Sequence, residues 1–158
     1  MRSPLCAGNC KAGLQDCKIR PDMIKAIVEQ CSHETETHIR ILEHLANENI
    51  YLRKRLTAIL QRSINPEFLE KAEYFHQQFI LEDEAVKIMR HDVILQEEAL
   101  KGPNADADGQ LSAIRVTQGK LRREMESIET GFNKLKFDFY RYLGEFLGLV
   151  SDRAPLVT

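Results

Sequence analysis

The fold is decided by a long periodic stretch, "IKAIVEQCSHETETHIRILEHLANENIYLRKRLTAI", which covers residues 24–59. Mainly apolar residues recur in it at intervals of alternately four and three positions, from Ile24 to Ile59. That spacing is the inner stripe of a heptad repeat and predicts one continuous α-helix. Pro21 suits the first turn of this helix, because its missing N–H would have no partner there. We therefore predict a first helix over about 21–62.

Two short connections divide the rest of the chain into two further helices. Asn65 is a favourable N-cap and Pro66 a favourable first helical residue, so a second helix is predicted over about 66–101. Gly102, followed by proline, ends it, and a third heptad pattern predicts a helix over about 109–148. Because the connections are short, each helix should run antiparallel to the preceding one.

The sequence thus predicts an all-α fold, an elongated antiparallel three-helix bundle with coiled-coil-like heptad packing. The bundle domain is predicted over 21–150. It is expected to lie between a flexible, cysteine-containing N-terminal tail (1–20) and a C-terminal tail (151–158).

The second helix carries a second apolar stripe beside its heptad stripe. Leu81, Ile88 and Leu95 recur every seven residues, with Ala85 and Ala99 next to them. A helix in a simple three-helix bundle does not need so much apolar width. Either this helix lies between its neighbours, or its outer face packs on another chain. Dimerisation into a larger bundle is one of the two expectations.

Folding the chain at its connections predicts two unlike ends. An aromatic core is predicted near residues 63–66, formed by Phe68, Tyr74, Phe75, Phe79, Phe132, Phe137, Phe139, Tyr140, Tyr142 and Phe146. At the opposite end, polar residues occupy inner-stripe positions: Thr35, His38, Gln96 and Gln118. Since buried polar groups need hydrogen-bond partners, we predict a polar core cluster there, with Gln96 near Ile114 and Gln118.

The connection "GPNADADGQLSAIR", residues 102–115, resembles part of a calcium loop. Asn104, Asp106 and Asp108 alternate before Gly109, which matches the first half of an EF-hand loop. Arg115 occupies the twelfth position, where a bidentate glutamate is required. The stretch is therefore either a calcium site with few ligands or a polar turn whose aspartates cap the third helix.

Zinc is the other metal that the sequence allows. Cys6, Cys10 and Cys17 lie in the N-terminal tail, and Cys31 and His33 lie on the first helix. Only Cys6 and Cys10 have the close spacing of a zinc-ligand pair. A zinc knuckle formed by the tail cysteines stands beside the alternative of ordinary thiols with no metal.

Composition and motifs limit the function classes. The net charge of −2 gives no reason to expect nucleic acid as a partner, and no apolar run approaches the ~20 residues that cross a bilayer. The first twenty residues lack the apolar centre of a signal peptide, so a cytoplasmic protein is expected. No nucleophile or phosphate-binding motif is present, so neither enzymatic activity nor a cofactor is expected.

The sequence therefore predicts a non-enzymatic helical-bundle protein that binds a protein partner or itself. We expect a homo-oligomer with Leu81, Ile88 and Leu95 as its interaction face. Two alternatives remain: a metal- or redox-responsive protein that uses the tail cysteines or the 104–112 loop, and a bundle that binds a small ligand in a cavity around Thr35, His38 and Gln118.

Overall fold

The computed structural model describes residues 20–62, 65–103, 105 and 107–152, with the backbone alone for Asp108 and 149–152. Three α-helices pack against one another: α1 (Pro21–Leu60), α2 (Pro66–Lys101) and α3 (Asp108–Asp152). No strand occurs in these ranges. The prediction of an all-α three-helix bundle is confirmed.

The start of α2 follows the local signals in the sequence. Asn65 has an extended backbone (φ −75°, ψ 121°), and its side-chain oxygen accepts a hydrogen bond from the N–H of Glu67 over 3.0 Å. That bond satisfies one of the N–H groups left without a partner in the first turn. α1 likewise begins with Pro21, and it ends at Leu60, two residues before the predicted limit.

α3 continues to Asp152, four residues beyond its predicted limit of about 148. No glycine in the described ranges has a positive φ, so Gly148 does not adopt the left-handed conformation that ends many helices. A glycine inside a helix costs about 1 kcal/mol relative to alanine, which is too little to stop a long helix. The helix thus includes the first two residues of the predicted C-terminal tail, and residues 153–158 lie outside the described part.

The aromatic core lies at the predicted end of the bundle. Phe139 is fully buried between the ring edges of Phe79 and Phe75, with centroid distances of 5.1 and 5.4 Å. The hydroxyl of Tyr142 donates to the main-chain carbonyl of Phe68 over 2.8 Å. Edge-to-face ring pairs and a hydrogen-bonded phenol stabilise this end of the bundle.

Three of the ten predicted core aromatics were assigned wrongly. Tyr74, Phe137 and Tyr140 are 58%, 66% and 40% exposed. They belong to the right level of the bundle but lie beside the inner stripe, each one or two residues in sequence from a buried aromatic. A residue's position along the bundle axis does not determine which side of its helix it lies on. Only residues on the side that faces the other helices are buried.

The connection between α2 and α3 closes the opposite end. Ala105 is buried with Cys31, Leu100 and Ile114, and its N–H donates to the carbonyl of Gly102 over 3.2 Å. Cys31 is thus a small core residue, as expected. Within the described ranges, no helix is long and apolar enough to cross a membrane.

Candidate functional site

A polar layer lies at the end of the bundle where the sequence predicts one. Thr35, His38, Gln96 and Gln118 are all buried. The side-chain amide of Gln96 donates to the Gln118 side-chain oxygen (3.1 Å) and to the main-chain carbonyl of Ile114 (2.9 Å). The predicted proximity of Gln96 to Ile114 and Gln118 is therefore observed.

The layer continues onto α1 through Glu34, which sequence reasoning did not select. The Gln118 amide donates to Glu34 Oε2 over 2.9 Å. Arg122 then binds the same carboxylate with two bonds, Nε to Oε1 at 2.6 Å and Nη2 to Oε2 at 2.9 Å. One connected network thus joins all three helices, and a two-bond guanidinium–carboxylate pair forms its outer edge.

These contacts perturb the Glu34 carboxyl group. The hydrogen bonds from Arg122 lower its pKa, because they favour the charged carboxylate. A signal for the pair existed in the sequence, since Glu34 and Arg122 carry opposite charges at positions flanking the inner stripes of α1 and α3. That signal is common on helix surfaces, so it did not single out this pair.

The other two polar residues do not join the network. The Thr35 hydroxyl donates to the carbonyl of Cys31, one turn back in the same helix, over 2.8 Å. The Nδ1 atom of His38 is buried and has no hydrogen-bond partner among the described residues. Burial lowers the pKa of His38, which favours the neutral ring. The predicted cluster of four is therefore one linked pair, Gln96 and Gln118, and two separate residues.

A groove of about 250 Å³ lies beside the polar layer, between α1 and α3. It is lined by Ile27, Gln30, Cys31, Glu34, Arg115, Gln118, Gly119 and Arg122. Thr35 and His38 are not among these residues. Because Gln118, Glu34 and Arg122 already bind one another, their polar atoms are largely occupied. The predicted small-ligand site around Thr35 stays a prediction.

The metal predictions fall mostly on positions that the structure does not describe. Cys6, Cys10, Cys17, Asn104 and Asp106 lie outside the described residues, as does the side chain of Asp108. In the remainder, no group of three or more His, Cys, Asp or Glu side chains is placed to hold a metal ion. The zinc and calcium sites therefore remain predictions. Burial raises the pKa of the Cys31 thiol, which disfavours the nucleophilic thiolate form.

The second apolar stripe of α2 lies on the surface. Leu81, Ile88 and Leu95 are 56%, 64% and 50% exposed. Tyr74 lies seven residues before Leu81 and extends the line, although the sequence analysis placed it in the core. We call these four residues the outer seam. At 1.5 Å per residue, the outer seam is about 32 Å long.

α3 lies along one side of the outer seam. Tyr74 and Arg141 line a common groove of about 310 Å³ between α2 and α3, and Lys71 pairs with Glu145 across it at 3.9 Å. On the other side of α2, Arg90 pairs with Glu43 of α1 at 3.5 Å. The outer seam thus belongs to the face that α2 and α3 present together.

Comparison of the chain with protein-family models, with curated proteins and with solved structures finds no match in any of the three.

Proposed function

We propose that this protein is a non-enzymatic interaction protein that binds a helix, and associates with itself, through the outer seam of α2. The observation that carries the proposal is the exposure of Leu81, Ile88 and Leu95 at heptad spacing. A single exposed leucine is ordinary on a protein surface, whereas a line of large apolar side chains is typical of an interface.

The energetics support an interface of moderate strength. Covering the exposed half of a leucine or isoleucine side chain contributes about 1 kcal/mol. Covering the outer seams of two associating chains therefore contributes several kcal/mol to the free energy of association. The cost of the lost translational and rotational freedom is subtracted from this contribution. Because a micromolar dissociation constant needs about 8 kcal/mol after that subtraction, we expect the outer seam to give reversible association weaker than micromolar.

The polar layer supports a structural role beside this function. Gln96, Gln118 and Glu34 bind one another across the three helices, which supports a role of this network in aligning the helices. The buried, free Cys31 thiol fits a reducing compartment, and we propose the cytoplasm.

Sedimentation equilibrium over a range of protein concentrations tests the proposal. We expect reversible self-association of the wild-type chain and its loss in Ile88→Glu, which places a charge at the centre of the outer seam. Ile50→Glu is the matched control, because Ile50 is 46% exposed on α1 and outside the outer seam. It should associate like the wild type, and circular dichroism should show the same helix content in all three proteins.

Two results would contradict the proposal. One is a wild-type chain that stays monomeric at every concentration. The other is equal association of Ile88→Glu and the wild type, which would place any self-association on another surface.

A further inference from the structure

The face that α2 and α3 share carries charges of opposite sign on its two sides. On α2, beside the outer seam and away from α3, lies a heptad column of exposed residues: Glu70, Gln77, Glu84, His91 and Glu98. On α3, across the groove, lies a second exposed column: Ala113, Lys120, Ser127, Lys134 and Arg141. We call them the acidic column and the basic column. The outer seam lies between them.

Several of these charges have no partner among the described residues. Glu84, Glu98 and Lys134 form no ion pair with any residue that the structure describes. Lys120 pairs with Glu124 at 3.6 Å and Arg141 with Asp138 at 3.3 Å, both on exposed helix surface. Exposed pairs within one helix contribute little, so these two basic groups remain able to bind another chain.

Symmetry decides how a second copy fits this face. Two kinds of two-fold axis bring one outer seam onto another. An axis perpendicular to the helices makes the two α2 helices antiparallel. The acidic column then faces the acidic column of the second copy, and the basic column faces the basic column. An axis parallel to the helices makes them parallel and sets each acidic column beside the basic column of the other copy. Only the second arrangement avoids repulsion between like charges.

The register within one chain fixes which charges would meet. The hydrogen bond between Gln96 and Gln118 sets the relative level of α2 and α3. In the parallel arrangement equal residue numbers lie at equal levels. Glu98 then lies within about 6 Å, along the axis, of Lys120 in the second copy, at 1.5 Å per residue. Glu84 lies equally close to Lys134 of the second copy, a separation that Glu and Lys side chains span.

Resting on the proposed function, we propose that the partner of the outer seam is a second copy of this chain, with the two α2 helices parallel. Leu81, Ile88 and Leu95 each meet their own counterpart, as inner residues do in parallel two-stranded coiled coils. The Glu84–Lys134 and Glu98–Lys120 pairs form twice across the two-fold axis and determine the orientation.

Charge reversal in the full chain tests the orientation separately from self-association. At low salt, Glu84→Lys with Glu98→Lys should weaken the dimer at least ~10-fold, because four attractive pairs become repulsive. Adding Lys120→Glu and Lys134→Glu should return the dissociation constant to within ~3-fold of the wild type, because every pair is attractive again.

The outcomes separate the two proposals. A wild-type monomer would overturn the proposed function and this inference together. The wild type could instead form a dimer whose dissociation constant does not change in Glu84→Lys with Glu98→Lys. That result would overturn the parallel arrangement alone. In an antiparallel dimer these substitutions replace repulsion between glutamates by a similar repulsion between lysines. Failure of the fourfold reversal to recover binding would also overturn the parallel arrangement.

A distance measurement gives a second readout. The chain for labelling carries Lys101→Cys, with Cys6, Cys10 and Cys17 replaced by serine and Cys31 by alanine. Sedimentation first shows that this chain associates like the wild type. A nitroxide is then attached at position 101. Parallel α2 helices place the two labels at the same level, and we expect a separation below ~30 Å. Antiparallel helices centred on Ile88 separate them by at least ~39 Å along the axis, which would contradict the inference.

Discussion

Asn49, in the middle of α1, donates a hydrogen bond from its side-chain nitrogen to the main-chain carbonyl of Phe79 in α2, over 2.8 Å. Both residues are almost completely buried. The side-chain oxygen of Asn49 has no hydrogen-bond partner. A shift of either helix by one residue would leave the whole amide unsatisfied in the core. This single bond therefore favours one alignment of α1 and α2, at a cost in stability.

Two replacements of Asn49 should distinguish the effect of its hydrogen bond on stability from the effect of burying its side chain. Asn49→Asp directs a carboxylate at the Phe79 carbonyl, and we expect a loss of about 3 kcal/mol at pH 7. Asn49→Leu removes the polar group altogether and should change stability by less than about 1.5 kcal/mol. Urea unfolding measures both, and similar losses in the two variants would contradict the role of the bond.

The two glutamines of the polar layer should behave as a unit. Gln96→Leu or Gln118→Leu alone leaves the other amide without its partner, and each should cost about 1–3 kcal/mol. The double variant should cost at least about 1 kcal/mol less than the sum of the two, because no orphaned amide remains in the pair. Additive losses in a double-mutant cycle would show that the glutamines contribute independently.

Acid should destabilise the bundle through His38. Its pKa is lowered in the folded state by burial, while Glu34 and Glu129 oppose that shift and Arg122 adds to it. The unfolded chain therefore binds the proton first, so stability should fall as pH decreases below about 6.5 and until the folded pKa is reached.

The His38→Leu variant identifies this contribution. The slope from one histidine is limited to about 1.4 kcal/mol per pH unit, and it should be absent in the variant. Thermal unfolding between pH 7.5 and 5 compares the two proteins. Equal acid sensitivity would assign the effect to other groups.

Phe137 and Phe139, two residues apart on α3, should differ sharply in their contribution to the stability of the bundle. Phe139→Ala removes a fully buried ring from the aromatic core and should cost about 3–5 kcal/mol. Phe137→Ala changes an exposed ring and should alter stability by less than about 0.5 kcal/mol. Chemical unfolding of the two variants measures the difference, and a large loss in Phe137→Ala would place its ring in an interface or in the core.

Glu82 occupies an inner-stripe position of α2 and should oppose folding at neutral pH. Burial raises the pKa of its carboxyl group, so the folded state disfavours the charged form. This penalty is absent below the ordinary pKa of about 4.5 and grows as pH rises through the raised value. Glu82→Gln should therefore stabilise the bundle at pH 7 by about 0.5 kcal/mol, allowing for solvent screening, and not at pH 3.5. A variant that is less stable at pH 7 would show that the carboxylate has a favourable partner.

Local signals in the sequence were sufficient for the helices and for their alignment. Asn65 with Pro66 starts α2 as predicted, since a cap and a proline act through bonds within one turn. The level at which Gln96 meets Gln118 follows from counting residues on both sides of a short connection. A local signal failed at Gly148, because one glycine costs a helix only about 1 kcal/mol relative to alanine.

Sequence alone determined the number of helices, their direction, their inner stripes and the apolar line of Leu81, Ile88 and Leu95, because heptad spacing is a property of each helix by itself. Only the tertiary structure decided how each helix is rotated and what lies across from it. Tyr74 and Phe137 therefore emerged on the surface, and Glu34 acquired Arg122 as its partner, 88 residues further along the chain. Residues so distant in sequence meet only after packing has set the separation and rotation of the helices.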